Sequence, residues 1–68
     1  MTDTQEFEIQ LVKNKITKKA LAEMLGLSET SLYNKIRNFT EFKASEIFAI
    51  TQKFHLTTEQ RDALFFAQ

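Results

Sequence analysis

The sequence of 68 residues contains no cysteine, no proline, one glycine and one histidine. Without cysteine there is no disulfide framework, and a single histidine among scattered carboxylates indicates neither a metal site nor a paired acid–base site. No apolar run is long enough to cross a membrane, and no signal-peptide pattern is present. We therefore expect a cytoplasmic protein that is not an enzyme and needs no cofactor or metal.

The residues that are present favour a small all-helical domain. Apolar side chains make up 43% of the chain, and seven of them are phenylalanine. Helical spacing predicts a first helix at about 5–14, two short helices within 17–37, and two more at about 44–54 and 58–66. We expect a single domain over residues 1–68, and a chain of this size also favours oligomerisation or unusually good packing.

Residues 17–37 have the sequence TKKALAEMLGLSETSLYNKIR, which predicts two helices folded sharply against each other. Thr17 and Ser28 can each cap the start of a helix. Gly26, the only glycine, falls where a left-handed residue is needed to end the first helix and turn the backbone. This arrangement is typical of a helix-turn-helix, a motif that reads DNA.

Apolar spacing outside this motif predicts the rest of the core. The expected inward-facing residues are Phe7, Ile9, Leu11 and Val12 in the first helix, Phe39 and Phe42 in a loop, and Ile47, Phe48, Ile50 and Phe54 in the fourth helix. Thr57 and Gln60 predict a capping box at the start of the last helix. His55 follows the fourth helix, where an imidazolium would favour the negative end of the helix dipole.

The net charge is zero, but the charges are unevenly distributed. Residues 1–12 carry three acidic side chains and no basic one, whereas residues 13–43 carry seven basic side chains against three acidic ones. Net positive charge is thus confined to the predicted motif and its flanks, which favours a nucleic-acid partner. The alternative for each lysine taken alone is a solvated surface position.

Several motif positions carry a family resemblance, namely Leu21, Ala22, Leu25, Gly26, Leu27 and Leu32. Through them the chain resembles the lambda Cro and repressor type of helix-turn-helix protein, and its later segments NFTEFKASEI and LTTEQRDALFF are similar to small Cro-like proteins of temperate phages. The resemblance implies a five-helix domain that binds operator DNA as a transcription regulator. It further implies a role in the lysis and lysogeny switch of a phage, in the cytoplasm of a Gram-positive host.

The resemblance also implies which residues contact DNA. Base-reading positions fall on Glu29, Thr30 and Asn34, with Tyr33 beside them. Asn34 can pair with adenine, Thr30 can bond a base or pack on a thymine methyl group, and Glu29 can accept only from the amino group of cytosine. Lys18 matches the phosphate-contacting position of the family; the further phosphate candidates are Lys19, Lys35, Arg37, Asn38 and Lys43.

The last helix commonly forms the dimer contact in the resembling family, which implies a homodimer through Leu64, Phe65 or Phe66. Phe65 and Phe66 are adjacent, so only one of them can point inward.

Glu29 departs from the family pattern, because a carboxylate there weakens DNA binding unless it meets cytosine or a neighbour such as Lys35 neutralises it. The alternative function is an antirepressor that binds the phage repressor through protein contacts.

Overall fold

The computed structural model describes residues 1–68 and contains five α-helices and no β-strand. The helices are α1 (Thr4–Lys13), α2 (Lys18–Leu25), α3 (Glu29–Ile36), α4 (Ala44–Lys53) and α5 (Thr58–Phe65). None of them combines the length and apolar character that a bilayer span requires. The predicted all-α architecture of five helices is confirmed.

Four of the five helices begin at a side chain that accepts a hydrogen bond from the amide of the third helical residue. Asp3, Thr17, Ser28 and Thr57 are these capping residues. At the start of α5 the bond is reciprocal, because the Gln60 side-chain oxygen accepts from the Thr57 amide at 2.8 Å. The caps predicted at Thr17, Ser28 and Thr57 are confirmed, and such caps satisfy backbone donors that no helical carbonyl can reach.

The first four helices all end at a left-handed residue that is followed by an apolar one. The left-handed residues are Lys15, Gly26, Asn38 and His55, with φ between 54° and 71°. After α2, for example, the Gly26 amide donates to the Glu23 carbonyl and the Leu27 amide donates to the Ala22 carbonyl. This is the Schellman arrangement, which ends a helix and redirects the chain within two residues.

Ten buried apolar side chains form one core, and each helix with its flanking residue supplies two of them. They are Phe7 and Leu11, Leu21 and Ala22, Leu32 and Ile36, Ile50 and Phe54, and Leu64 and Phe65. At its centre the Phe7 ring stacks on Phe42 at 5.7 Å and meets the edges of Phe54 and Phe65 at 5.9 and 6.1 Å. The loop residue Phe42 therefore packs on the core as predicted.

Four of the predicted core residues are exposed instead, namely Ile9, Val12, Phe39 and Phe48. Phe48 keeps 65% of its surface exposed, because Ile47, Ile50 and Phe54 already occupy the inner stripe of α4. A position one residue from a helical stripe lies about 100° away from it. Phe39 follows the left-handed residue Asn38 and points away from the core, so only one of the two loop phenylalanines packs inward.

Candidate nucleic-acid interface

The amino-terminal half of α3 presents its polar side chains to solvent. Glu29, Thr30 and Tyr33 are exposed, and together with Lys18 at the start of α2 they line one shallow groove of about 250 Å³. The left-handed Gly26 and the Ser28 cap create this arrangement, because they leave only three residues between the end of α2 and the start of α3. The structure thus brings three predicted base-reading residues next to a predicted phosphate contact.

Asn34 lies one turn further along α3 and is half-buried. Its backbone carbonyl accepts from the amides of Phe39 and Thr40 at 2.8 and 3.3 Å, so the residue also helps to close the helix end. The side-chain amide has one carbonyl acceptor and two donors, which match the N6 and N7 edge of adenine.

Lys18 is engaged in an ion pair in the free protein. Its ammonium group lies 2.8 Å from the carboxylate of Glu8 in α1, and the two side chains keep 39% and 46% of their surfaces exposed. Solvent-exposed pairs of this kind contribute little free energy, about 0.2–1 kcal/mol. Lys18 can therefore exchange the carboxylate for another anion at small cost.

Lys35 is not available for the phosphate contact predicted for it. Its ammonium group is buried and donates to the Glu46 carboxylate at 2.9 Å and to the Glu41 carbonyl at 3.1 Å. Lys35 thereby joins α3 to α4, and its partner is Glu46 rather than Glu29. The proposed neutralisation of Glu29 by Lys35 is therefore wrong as well.

The pKa of Glu46 reflects this buried environment. Desolvation by burial raises the pKa of the carboxyl group, but the hydrogen bond from the Lys43 amide, the hydrogen bond from Lys35 and the charges of both lysines lower it. Together the hydrogen bonds and the lysine charges outweigh desolvation, so the pKa of Glu46 lies below its ordinary value. A carboxylate that accepts two hydrogen bonds and faces a cation is stabilised in its charged form.

Asn38 also has a structural role instead of the predicted phosphate contact. Its side-chain oxygen accepts from the Thr2 amide at 2.8 Å, and its side-chain nitrogen donates to the Thr2 carbonyl at 2.9 Å. The hydroxyl of Thr4, the first residue of α1, donates to the Ile36 carbonyl at 2.7 Å. These three bonds fasten Thr2 and the start of α1 to the end of α3, and two of them use both polar atoms of the Asn38 side chain.

Three of the predicted phosphate contacts keep exposed side chains without a carboxylate partner, namely Lys19, Arg37 and Lys43. Arg37 is the ordered member of this set. Its guanidinium group donates to the Tyr33 hydroxyl at 3.2 Å and lies 5.6 Å from the centre of the Tyr33 ring. The basic side chains that remain free thus lie at the first turn of α2, the end of α3 and the start of α4.

Of the three predicted dimer residues, only Phe66 is exposed. Leu64 and Phe65 are buried in the core, so they are unavailable to a partner, whereas Phe66 keeps 56% of its surface exposed. Phe66 and Phe48 line one groove of about 350 Å³ between α4 and α5. Sequence reasoning missed Phe48, although its position next to the stripe of Ile47 and Ile50 indicated an outward direction.

The exposed faces of α3 and of α4 with α5 are the two candidate functional surfaces of the protein. No group of three or more histidine, cysteine, aspartate or glutamate side chains is arranged to hold a metal ion. Comparisons with protein-family models, with curated proteins and with solved structures find no match to this chain.

Proposed function

We propose that this protein is a DNA-binding transcription regulator with a Cro-like helix-turn-helix fold, acting in the lysis and lysogeny switch of a phage. The observation that carries the proposal is the presentation of Glu29, Thr30 and Tyr33 on an exposed helix, in one groove with Lys18. The sharp turn at Gly26 and the cap at Ser28, which leave only three residues between α2 and α3, support the proposal. The proposed role is non-enzymatic and lies in the bacterial cytoplasm.

In this proposal α3 enters the major groove with its amino-terminal half. Asn34 pairs with adenine, Thr30 contacts a base edge or a thymine methyl group, and Glu29 accepts from the amino group of cytosine. Lys18 exchanges Glu8 for a backbone phosphate. The further phosphate contacts are Lys19, Arg37 and Lys43, which fix the register of the protein without reading sequence.

The proposed DNA-bound form is a homodimer. Phe66 remains the candidate dimer residue, and Phe48 joins it because the two rings border the same groove. A dimer would place two copies of α3 in successive major grooves, about 34 Å apart, on a pseudo-palindromic operator. Two exposed aromatic rings per chain are suited to such a contact, since aromatic side chains are enriched at interfaces.

The test is fluorescence anisotropy of the purified protein with duplex DNA that flanks its own gene, at low and physiological salt. We expect sequence-selective binding that weakens as salt rises, because phosphate contacts release counterions. Asn34→Ala should cost about 1–3 kcal/mol on the operator and relax base preference, whereas Lys18→Ala should weaken all DNA about equally. Equal losses on operator and random DNA for both variants would contradict direct reading. Light scattering of the same sample gives the mass to compare with 7.9 kDa for one chain.

A second candidate is an antirepressor that binds the phage repressor through the α3 face. It is favoured by the exposed carboxylate of Glu29, which forms no ion pair, and by the exposed side chain of Tyr33. Adding the repressor to the anisotropy experiment separates the two functions. Weak, unselective binding by this protein alone, together with release of the repressor from its DNA, would support the antirepressor.

A further inference from the structure

Tyr33 and Arg37 lie four residues apart on α3 and contact each other in two ways. The hydrogen bond from the guanidinium group to the Tyr33 hydroxyl is 3.2 Å long, and the guanidinium carbon lies 5.6 Å from the ring centre. Side chains four residues apart share one helix face, so this contact needs no distortion of the helix. Both residues are exposed, and the pair therefore continues the polar face of α3 toward its carboxyl end.

We propose that the two residues act as one unit, in which Arg37 binds a DNA backbone phosphate and Tyr33 is its positioning residue. The inference rests on the proposed DNA-binding function and changes the role of Tyr33 from base reading to support of Arg37. Tyr33 lines the groove together with Lys18, Glu29 and Thr30, and its ring contacts Arg37.

The length of α3 determines what Arg37 can reach. Arg37 follows Glu29 by eight residues, which is about 12 Å along a helix axis at 1.5 Å per residue. The major groove of B-DNA is about 8.5 Å deep. When the amino-terminal end of α3 points into the groove, with Glu29 and Thr30 at the base edges, Arg37 therefore lies at the level of the phosphates.

Arg37 differs from the other free cations of this surface because it is held in place. Neither Lys19 nor Lys43 forms an ion pair that would order its ammonium group, so each must lose side-chain freedom when it binds. The guanidinium group of Arg37 uses one N–H on Tyr33 and retains other donors in a planar fork that matches a phosphate. Because its guanidinium group is ordered before DNA binds, Arg37 is the most effective phosphate contact of the three residues.

The experiment measures binding of wild type, Arg37→Ala, Tyr33→Ala and Tyr33→Phe to operator and random duplexes over a salt series. We expect Arg37→Ala to lose about fivefold on both duplexes and to reduce the salt slope by about one. Tyr33→Ala should lose less, again equally on both duplexes. Tyr33→Phe should bind nearly as wild type, because the ring that attracts the cation remains. Lys53→Ala, which removes an exposed positive charge outside the proposed interface, is the matched control and should change binding little.

The double variant Tyr33→Ala with Arg37→Ala decides whether the residues form a unit. If Tyr33 acts only through Arg37, the double variant binds as Arg37→Ala does. Losses that add, or a changed base preference in Tyr33→Ala, would assign Tyr33 an independent contact and overturn the inference. Wild-type binding by Arg37→Ala would overturn it too, whereas absence of DNA binding by wild type itself would overturn the proposed function as well. Urea unfolding of each variant verifies that the fold is intact.

Discussion

Two lysine–glutamate pairs join neighbouring helices with almost the same geometry but in different surroundings. Lys18 and Glu8 connect α2 to α1 at 2.8 Å, and Lys35 and Glu46 connect α3 to α4 at 2.9 Å. The first pair keeps 39% and 46% of its side-chain surfaces exposed, and the second keeps 10% and 9%. The nitrogen–oxygen distances alone would indicate two ion pairs of equal strength.

The difference in burial gives the two lysines different roles. Water screens the surface pair, so breaking it costs little and leaves Lys18 able to move to a phosphate. Removing one partner of a buried pair leaves a charge without compensation, which costs far more. A lysine near a binding surface can thus contact a phosphate only when breaking its existing ion pair costs little free energy.

The largest expected effect is the loss of stability in Lys35→Ala. We expect the free energy of unfolding to fall by about 3–5 kcal/mol, because Glu46 remains buried without its cation. Lys18→Ala should lose less than about 1 kcal/mol. Urea unfolding at pH 7 measures both variants.

The double variant Lys35→Met with Glu46→Leu is the control for this comparison. It replaces the buried pair by apolar side chains of similar volume, so most of the lost stability should return. Similar losses in Lys35→Ala and Lys18→Ala would show that burial does not distinguish the two pairs.

Lowering the pH should have a smaller effect on the stability of the fold. The pKa of Glu46 in the folded chain lies below its ordinary value of 4.5, so the unfolded chain binds a proton more readily. This contribution to stability is therefore complete at pH values above the unfolded pKa, and it disappears as pH falls through the lower folded-state pKa. Urea midpoints of wild type should fall between pH 5 and about pH 3. Glu46→Gln should show a shallower fall over that range. Parallel profiles for wild type and Glu46→Gln would contradict a special role of Glu46.

The smallest expected effect concerns DNA affinity. Glu8→Gln frees Lys18 for the proposed phosphate contact, so it should strengthen binding to all DNA by at most about fivefold. Glu59→Gln on α5 changes the net charge equally and should have less effect. The gain should vanish when Lys18→Ala is combined with Glu8→Gln. A gain that persists in that background would mean that Glu8 does not act through Lys18.

The local features of the fold were largely predictable from the sequence. Each cap at Thr17, Ser28 and Thr57 joins a side chain to the backbone amide three residues later, so the local sequence is sufficient to predict it. The left-handed conformations of Lys15, Asn38 and His55 were not predicted, because residue type alone indicates that conformation clearly only for glycine. The apolar residue that follows each of them would have indicated the same helix ending as at Gly26.

The candidate site was less predictable than the fold. Glu29 and Thr30 are exposed on α3, which agrees with the position predicted for them, but their contacts with bases remain a prediction. Lys35 and Asn38 have side chains of types that can contact DNA, but in the structure Lys35 binds Glu46 and Asn38 binds Thr2. Those partners are 11 and 36 residues away, so no local pattern reveals them.

The sequence by itself determined the approximate positions of the five helices and the caps at Thr17, Ser28 and Thr57, because capping and helical periodicity involve residues within a few positions of one another. Only the tertiary structure decided that Phe66 rather than Phe65 is exposed and that Phe48 joins it at the groove between α4 and α5. It also decided that Lys18 keeps a replaceable partner while Lys35 is buried with Glu46. Burial and ion pairing depend on which helices meet in space, and that is set by the packing of the whole chain.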